Sequence, residues 1–167
     1  VALALATENG REDGDIIPPE VVAWVAARVA EGLHAAHSMV DEDGTPLEIV
    51  HRDITPSNVM IGFDGSVKIT DFGIAKATVR STHTRTGTIK GKIAYMSPEY
   101  AARRTADGRS DLYSLGIVMF ESLTGEVPFK AEGDLELLKL VAYAATPSLA
   151  SVATDADPEL IRIVDRL

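Results

Sequence analysis

Cysteine is absent from this chain of 167 residues, which excludes disulfide bonds and thiolate metal sites. Positive charge is scarce as well, because 16 Lys and Arg stand against 25 Asp and Glu and give a formal net charge of −9. General binding to nucleic acid is therefore not expected, since proteins with that function usually display a basic patch. Long apolar runs are missing too, and no stretch reaches the ~18 uninterrupted apolar residues of a membrane span.

The residues that are present have the balance of an ordinary globular domain. Hydrophobic residues make up 46% and charged residues 25% of the chain, which suffices for one domain with a buried core. Residues 1–10 are largely apolar but lack the basic leader of a signal peptide. The chain begins with Val1 rather than Met, which favours a fragment or a processed chain.

Pro18-Pro19-Glu20 is predicted to open a first helix, because Pro fits the first helical turn. Val21, Val25, Val29 and Leu33 recur every four residues and are expected to line its buried face.

Three more helices are predicted further along the chain. Residues 110–123 are apolar on nearly all sides, which is typical of a buried helix, and Gly125 is placed to end it. Residues 134–145 form an amphipathic pattern, and Asp157-Pro158-Glu159 has the cap, Pro and acid of a helix start.

A β-hairpin is predicted from two short β-branched runs, residues 59–61 and 67–69, joined through Asp64-Gly65. Residues 77–92 are rich in Thr and almost free of apolar side chains, so we expect a mobile segment that faces solvent.

Four short motifs follow one another in a fixed order. The first is 51–58, with the letters HRDITPSN, and the second is 71–73, with the letters DFG. The third is 97–99 (SPE), and the fourth is 110–116 (SDLYSLG), which opens the predicted buried helix. Single triplets of this kind occur by chance, but all four in this order, with the hairpin between the first two, resemble the protein kinase family. The resemblance covers essentially the whole chain.

This resemblance implies an α+β fold, a protein kinase-like, mainly helical C-terminal lobe with a short β-hairpin at the catalytic loop. Residues 1–167 would form a partial catalytic domain, because they contain no Gly-rich phosphate loop, no strand Lys and no partner-helix Glu. The N-terminal lobe and the last helices are thus expected to be absent from this stretch. Without them, we expect the stretch alone to bind ATP poorly and to be inactive.

Three polar residues match the positions at which the family performs phosphoryl transfer. The resemblance implies that Asp53 orients the substrate hydroxyl and accepts its proton. Asn58 would hold one Mg²⁺ ion through its amide oxygen, and Asp71 would bridge the Mg²⁺ ions that neutralise the phosphates of ATP, with Mn²⁺ as an alternative metal. Taken alone, Asp53 has a plainer explanation as a cap or a solvated acid, and Asn58 as a turn residue.

Other residues match supporting positions of the family near the nucleotide. His51 and Phe72 match the side chains that stack in its regulatory hydrophobic column, although plain core packing is nearly the same interpretation. Gly73 completes the metal-binding motif. Met60 matches the position that packs under the adenine ring, with an ordinary core Met as the alternative.

Three charged residues match positions that hold the lobe together. Arg52 would pair with a phosphorylated residue of the activation segment, with a surface salt bridge as the alternative. Asp111 matches the buried acid that holds the catalytic-loop backbone, and a plain helix N-terminal acid is its other interpretation. Glu99 matches an acid whose Arg partner we expect beyond Leu167.

The catalytic loop departs from the commonest version of the family. Most serine/threonine kinases have Lys at the position of Thr55 and Thr at the position of Lys92, and the two side chains touch. Here the residue types are exchanged, so we expect Lys92 to supply the charge near the transferring phosphate and Thr55 to supply the hydroxyl. The alternative is that Lys92 is a surface residue and the site is weaker.

The function implied by the resemblance is ATP- and Mg²⁺-dependent phosphoryl transfer to Ser and Thr hydroxyls of protein substrates, because the catalytic loop lacks the Arg of tyrosine kinases. The alternative is an inactive, pseudokinase-like scaffold module, which the intact set of Asp53, Asn58 and Asp71 disfavours. The amino-acid sequence around the motifs resembles that of bacterial kinases of the eukaryotic type. A cytoplasmic catalytic domain and a second kinase copy for autophosphorylation are expected on the same ground, and a membrane tether elsewhere is left open.

Residues 76–92 match the family's activation segment, which is where its phosphorylated residue lies. Thr88 lies where the family's phosphorylated residue is most often found, with Thr86 and Thr84 as rivals, and a phosphate there would order the segment. Phosphosite mapping after incubation with ATP should find phosphate on Thr88. Absence of phosphate throughout 78–88 would leave an unmodified Thr-rich loop as the explanation.

Overall fold

The computed structural model describes residues 17–72, 88–153 and 156–167 of the chain. Its helices are α1 (Pro19–His37), α2 (Thr88–Ile93), α3 (Pro98–Ala101), α4 (Gly108–Thr124), α5 (Asp134–Tyr143) and α6 (Pro158–Val164). Its strands are β1 (Val59–Ile61) and β2 (Val67–Ile69), and short 3-10 turns lie at Pro56–Asn58 and Leu149–Ser151. No helix in these ranges is long and apolar enough to cross a membrane.

Strands β1 and β2 form the predicted antiparallel hairpin, with Val59 opposite Ile69 and Ile61 opposite Val67. Gly65 has a φ of 82° in the turn, a conformation that side chains with a Cβ rarely adopt. The pairing continues past the strands, because the backbone N–H of Thr70 donates to the carbonyl of Asn58 at 2.9 Å. The hairpin therefore brings the chain before β1 and the chain after β2 to one end.

Helix α1 begins at Pro19 as predicted, but its buried face is rotated from the predicted one. Val21 is 42% exposed, and Val22 takes its place in the core. A step of four residues overshoots one turn of 3.6 residues, so a strict four-residue series drifts around the helix. The buried side of α1 contains Val25, Val29 and Leu33. Val21, three four-residue steps before Leu33, lies outside that side.

Helix α4 is the buried central helix that the apolar run predicts. It begins two residues earlier than predicted, since Asp107 caps it by accepting the N–H of Arg109 at 2.9 Å through Oδ1. Gly125 ends it with a φ of 79°, as expected. Helix α4 packs along α1, and this pair forms the centre of the lobe.

Helices α5 and α6 lie close to their predicted places. Helix α5 ends at Tyr143, earlier than the predicted residue 145. Helix α6 starts as predicted, because the Oδ1 atom of Asp157 accepts the backbone N–H groups of Glu159 and Leu160 at 2.8 and 3.2 Å.

Helix α2 covers residues 88–92 at the end of the segment that is predicted to face solvent, and Gly91 is exposed there. Thr and Gly are poor helix formers, and the helix owes its place to tertiary packing instead. Its last residue, Ile93, is buried against α5. The segment 77–92 ends one residue before Ile93, so its composition does not indicate this contact.

Most of the described buried apolar side chains belong to two clusters. The first cluster, between α1, α4, the hairpin and α6, contains these buried residues: Val22, Val25, Ala26, Val29, Leu33, Ile54, Val59, Leu115, Val118, Met119, Phe120, Leu123, Leu149, Leu160 and Val164. The second cluster joins the end of α2 to α3 and α5 and contains Ile93, Ala101, Phe129, Leu137 and Val141.

Candidate active site

Asp111 fixes the backbone of the loop that precedes the hairpin. This carboxylate is completely buried near the start of α4. Its Oδ2 atom accepts the backbone N–H of His51 at 2.8 Å, and its Oδ1 atom accepts that of Arg52 at 2.7 Å. Arg52 has a φ of 64°, which is costly for a residue with a side chain and persists only where neighbours enforce it. The two hydrogen bonds supply that enforcement.

His37 also binds Asp111, and sequence reasoning missed it. The Nε2 atom of His37, the last residue of α1, lies 2.8 Å from Oδ2 of Asp111. A His in the last turn of a helix normally looks like a favourable charge at the helix end. No local signal joins two residues that are 74 positions apart.

The ring of His51 links the loop to the end of β2. Its Nε2 atom lies 2.9 Å from the carbonyl of Thr70, which can only accept, so Nε2 carries a proton. Its Nδ1 atom lies 3.3 Å from the backbone N–H of Asp53, which can only donate, so Nδ1 is unprotonated. The ring is therefore neutral. Its centroid lies 4.6 Å from that of Phe72 at a tilt of 57°, so these two predicted residues are in contact.

Asp53 receives two side chains on one carboxylate oxygen. The Nζ atom of Lys92 lies 2.7 Å from Oδ2 of Asp53, and the Nδ2 atom of Asn58 donates to the same oxygen at 3.1 Å. Asn58 also donates to the backbone carbonyl of Asp53 at 2.7 Å. The Asp53 side chain is 8% exposed and the Lys92 side chain 40%, so the ammonium group approaches from the solvent side.

Asn58 and Asp71 lie at the same end of the hairpin, where it opens. The amide nitrogen of the Asn58 side chain donates both of its hydrogen bonds to Asp53, which turns the amide oxygen away from Asp53. Asp71 is exposed and has a φ of 59°. An amide oxygen and a carboxylate fit Mg²⁺, which keeps several waters and takes only one or two protein ligands beside phosphate oxygens. Within the described ranges, no group of three or more His, Cys, Asp or Glu side chains is placed to hold a metal ion.

The remaining predicted site residues are less closely joined. Thr55 is buried just before the 3-10 turn, two residues beyond Asp53. Met60 lies on the exposed side of β1, and the Arg52 side chain is exposed. Thr88 begins α2. Gly73, Thr84 and Thr86 lie outside the described residues.

Glu99 is held inside the lobe by hydroxyl groups. The Oγ atom of Ser110 donates to Oε1 of Glu99, and the Ser97 hydroxyl also donates to this carboxylate. Burial by itself raises the pKa of Glu99, but the hydrogen bonds from Ser110 and Ser97 outweigh it, and the pKa is lowered from its ordinary value. No local pattern in the sequence indicates that these hydroxyl groups bind Glu99.

Tyr95 provides a further attachment that sequence reasoning missed. Its hydroxyl donates to Oε2 of Glu121 at 2.6 Å, which ties the chain after α2 to the central helix α4.

Comparison with known proteins identifies the family of this chain. A profile of the protein kinase domain matches residues 6–164. The chain belongs to the protein kinase family, and its helices and two-stranded antiparallel sheet agree with the predicted helical C-terminal lobe.

The relatives are bacterial protein kinases. Tyrosine-protein kinase MasK of Myxococcus xanthus is 43% identical over 148 residues, which cover 89% of this chain and 23% of that protein. Serine/threonine-protein kinase PknL of Mycobacterium tuberculosis is 37% identical over 148 residues, or 89% of this chain and 35% of that protein. Serine/threonine-protein kinase PrkC of Bacillus subtilis is 46% identical over 101 residues, or 60% and 16%. The chain thus spans about a third or less of the length of these relatives.

The lowered pKa of Glu99 predicts how the stability of the protein depends on pH. A lowered pKa in the folded state means that the ionised carboxylate stabilises the fold above its ordinary pKa of 4.5 and that this contribution is lost as the pH falls through the folded pKa. Ser110→Ala removes one of the hydrogen bonds to that carboxylate. It should therefore lower the free energy of unfolding at pH 7, and the difference from the unmodified protein should shrink in acid.

Ser114→Ala is the matched control for this measurement by denaturant titration. The Ser114 hydroxyl is buried in the same helix but donates to the backbone carbonyl of Ser110 at 3.0 Å, so its loss should be independent of pH. If Ser110→Ala also lowers the free energy of unfolding by the same amount at every pH, Ser110 does not stabilise the ionised form of Glu99.

Proposed function

We propose that this chain supplies the catalytic loop and the metal-binding loop of a kinase that transfers the γ-phosphoryl group of ATP to Ser and Thr hydroxyls of proteins. The observation that carries the proposal is the environment of Asp53. One carboxylate oxygen is bound by Lys92 and Asn58, on a loop whose backbone is held by Asp111. Phosphoryl transfer needs this kind of positioning and charge neutralisation more than covalent chemistry.

Asp53 is proposed to orient the substrate hydroxyl and to accept its proton. Its carboxylate is nearly buried, and its backbone N–H is bound to His51, so its position is fixed from two sides. Asn58 adds a third restraint through the Asp53 backbone carbonyl. A base that is already oriented loses little freedom when the substrate arrives, which is a main source of catalytic power.

Asn58 and Asp71 are proposed to hold Mg²⁺ through the amide oxygen and the carboxylate. When bound, the metal ion neutralises charge on the phosphate oxygens of ATP. The part of this chain is to present two oxygen ligands at the open end of one rigid hairpin. Met60, exposed on β1, is proposed to contact the adenine ring.

Lys92 is proposed to supply the cation that most serine/threonine kinases carry at the position of Thr55. Its ammonium group already lies 2.7 Å from the carboxylate of Asp53, which is the place where a cation must stand to reach a phosphoryl group being transferred to a hydroxyl bound there. Thr55, buried two residues from Asp53, would supply the hydroxyl in return.

The proposal also specifies which hydroxyl groups accept the phosphoryl group. The relatives include both a tyrosine-protein kinase and serine/threonine-protein kinases. We favour Ser and Thr because the loop from Asp53 to Asn58 contains no Arg. Paired peptides that differ only in Ser against Tyr at the acceptor position decide this point.

The exchange of Lys92 and Thr55 is tested by kinetics of the complete protein with Mg²⁺ and ATP. Lys92→Ala should lower kcat by about 10²-fold, the usual effect of removing a charge-stabilising donor from an active site. Adding Thr55→Lys to Lys92→Ala should recover part of that loss, because it restores the cation from the other side. Asp53→Asn should lower kcat by roughly 10²–10⁴-fold.

Lys139→Ala is the control, because Lys139 is an exposed Lys on α5. An unchanged kcat for Lys92→Ala would contradict the exchange while leaving the kinase proposal intact. Absence of any phosphoryl transfer by the complete protein would instead support a binding or scaffold module.

A further inference from the structure

We propose that the second cluster is the positioning element for Lys92, so that the two charged groups at the proposed site are held by two different hydrophobic clusters. This inference rests on the proposed function of Asp53 and Lys92. It assigns a role in the reaction to Ile93 and Val141, which touch neither substrate nor nucleotide in the proposal. They act through Lys92.

The first cluster anchors Asp53. Its chain neighbour Ile54 is completely buried there, between α1, α4 and the hairpin. The hydrogen bonds of Asp111 to His51 and Arg52 attach the same loop to α4. Asp53 therefore moves with the centre of the lobe.

The second cluster anchors Lys92. Its chain neighbour Ile93 is buried there, against α5. The other members stand on α3, on α5 and at Phe129, which precedes α5. The Lys92 side chain is 40% exposed, whereas Ile93 is only 4% exposed, so Ile93 supplies most of the apolar packing at this point of the chain. The placement of the Lys92 ammonium group therefore follows the packing of Ile93.

One further attachment limits how far Lys92 can move. Tyr95 packs against the first cluster, and its hydroxyl donates to Glu121 at 2.6 Å. This attachment lies three residues beyond Lys92, whereas Ile93 is adjacent to it. Loosening the second cluster should thus shift the ammonium group while Tyr95 stays attached to α4.

The 2.7 Å ion pair between Lys92 and Asp53 joins the charged groups that the two clusters carry. In kinases with a Lys at the position of Thr55, the cation and the base lie on one loop, so the distance between them is set within that loop. Here the distance between Lys92 and Asp53 depends on how the end of α2 packs against α5. Displacements near 1 Å at a catalytic centre change rates by up to about 10²-fold, so modest repacking should be measurable.

The test compares two Val→Ala variants of the complete protein that remove the same two methyl groups from different clusters. Val141 lies in the second cluster at 0% exposure, and Val164 lies in the first cluster at 8%. Val141→Ala should lower kcat about tenfold with an unchanged KM for ATP. Val164→Ala should change kcat by less than about twofold, since α6 is remote from the pair in the chain and in its contacts. Equal effects on kcat would overturn the proposal.

A double-mutant cycle separates positioning of Lys92 from a general loss of stability. If the second cluster acts through Lys92, Val141→Ala should have little further effect on kcat once Lys92 is Ala. Multiplicative losses would contradict the proposal. With the cation moved by Thr55→Lys in the Lys92→Thr background, the effect of Val141→Ala should likewise fall below about twofold.

The outcomes distinguish this inference from the proposed function. A complete protein that transfers no phosphate refutes both. A protein whose kcat falls with Lys92→Ala but responds equally to Val141→Ala and Val164→Ala retains the function of Lys92 and refutes its positioning by the second cluster. Circular dichroism and thermal melting of each variant establish that the proteins compared are folded.

Discussion

The hydrogen bonds of one buried carboxylate organise the whole site. Asp111 lies within the apolar centre of the lobe, where a carboxylate without partners would be strongly destabilising. It is balanced by the N–H groups of His51 and Arg52 and by the ring of His37, which come from the loop and from the end of α1. The same bonds hold Arg52 in a costly backbone conformation, and Asp53 follows directly. These hydrogen bonds offset the cost of burying the Asp111 charge, and they also fix the geometry of the loop.

Charge at the site is shared between two elements rather than concentrated in one loop. Asp53 belongs to the loop that Asp111 fixes, whereas Lys92 belongs to α2, which packs on α5. Asn58 touches the same Asp53 oxygen and, with Asp71, opens towards one end of the hairpin. A kinase built in this way would couple the placement of its cation to the packing of α2 against α5.

The sequence allows those features to be predicted that depend on local chemistry. The hairpin depends on Gly65, and the end of α4 on Gly125, so both were predictable, as was the family from the order of its motifs. The contact of His37 with Asp111 and the burial of Ile93 against α5 were not, because each joins residues far apart in the chain. The error over Val21 has another cause, since a four-residue period is only an approximation to the helical repeat.

Amide hydrogen exchange at His51 and Arg52 tests most directly whether Asp111 fixes the catalytic loop. In the unmodified protein both amides should exchange slowly, although they lie in neither a helix nor a strand. In Asp111→Asn at least one should exchange much faster, because an amide side chain can accept through only one of its two terminal atoms. Amides inside α4 should keep their protection, as should the loop in the exposed-cap control Asp107→Asn. Unchanged exchange of both loop amides in Asp111→Asn would contradict the account.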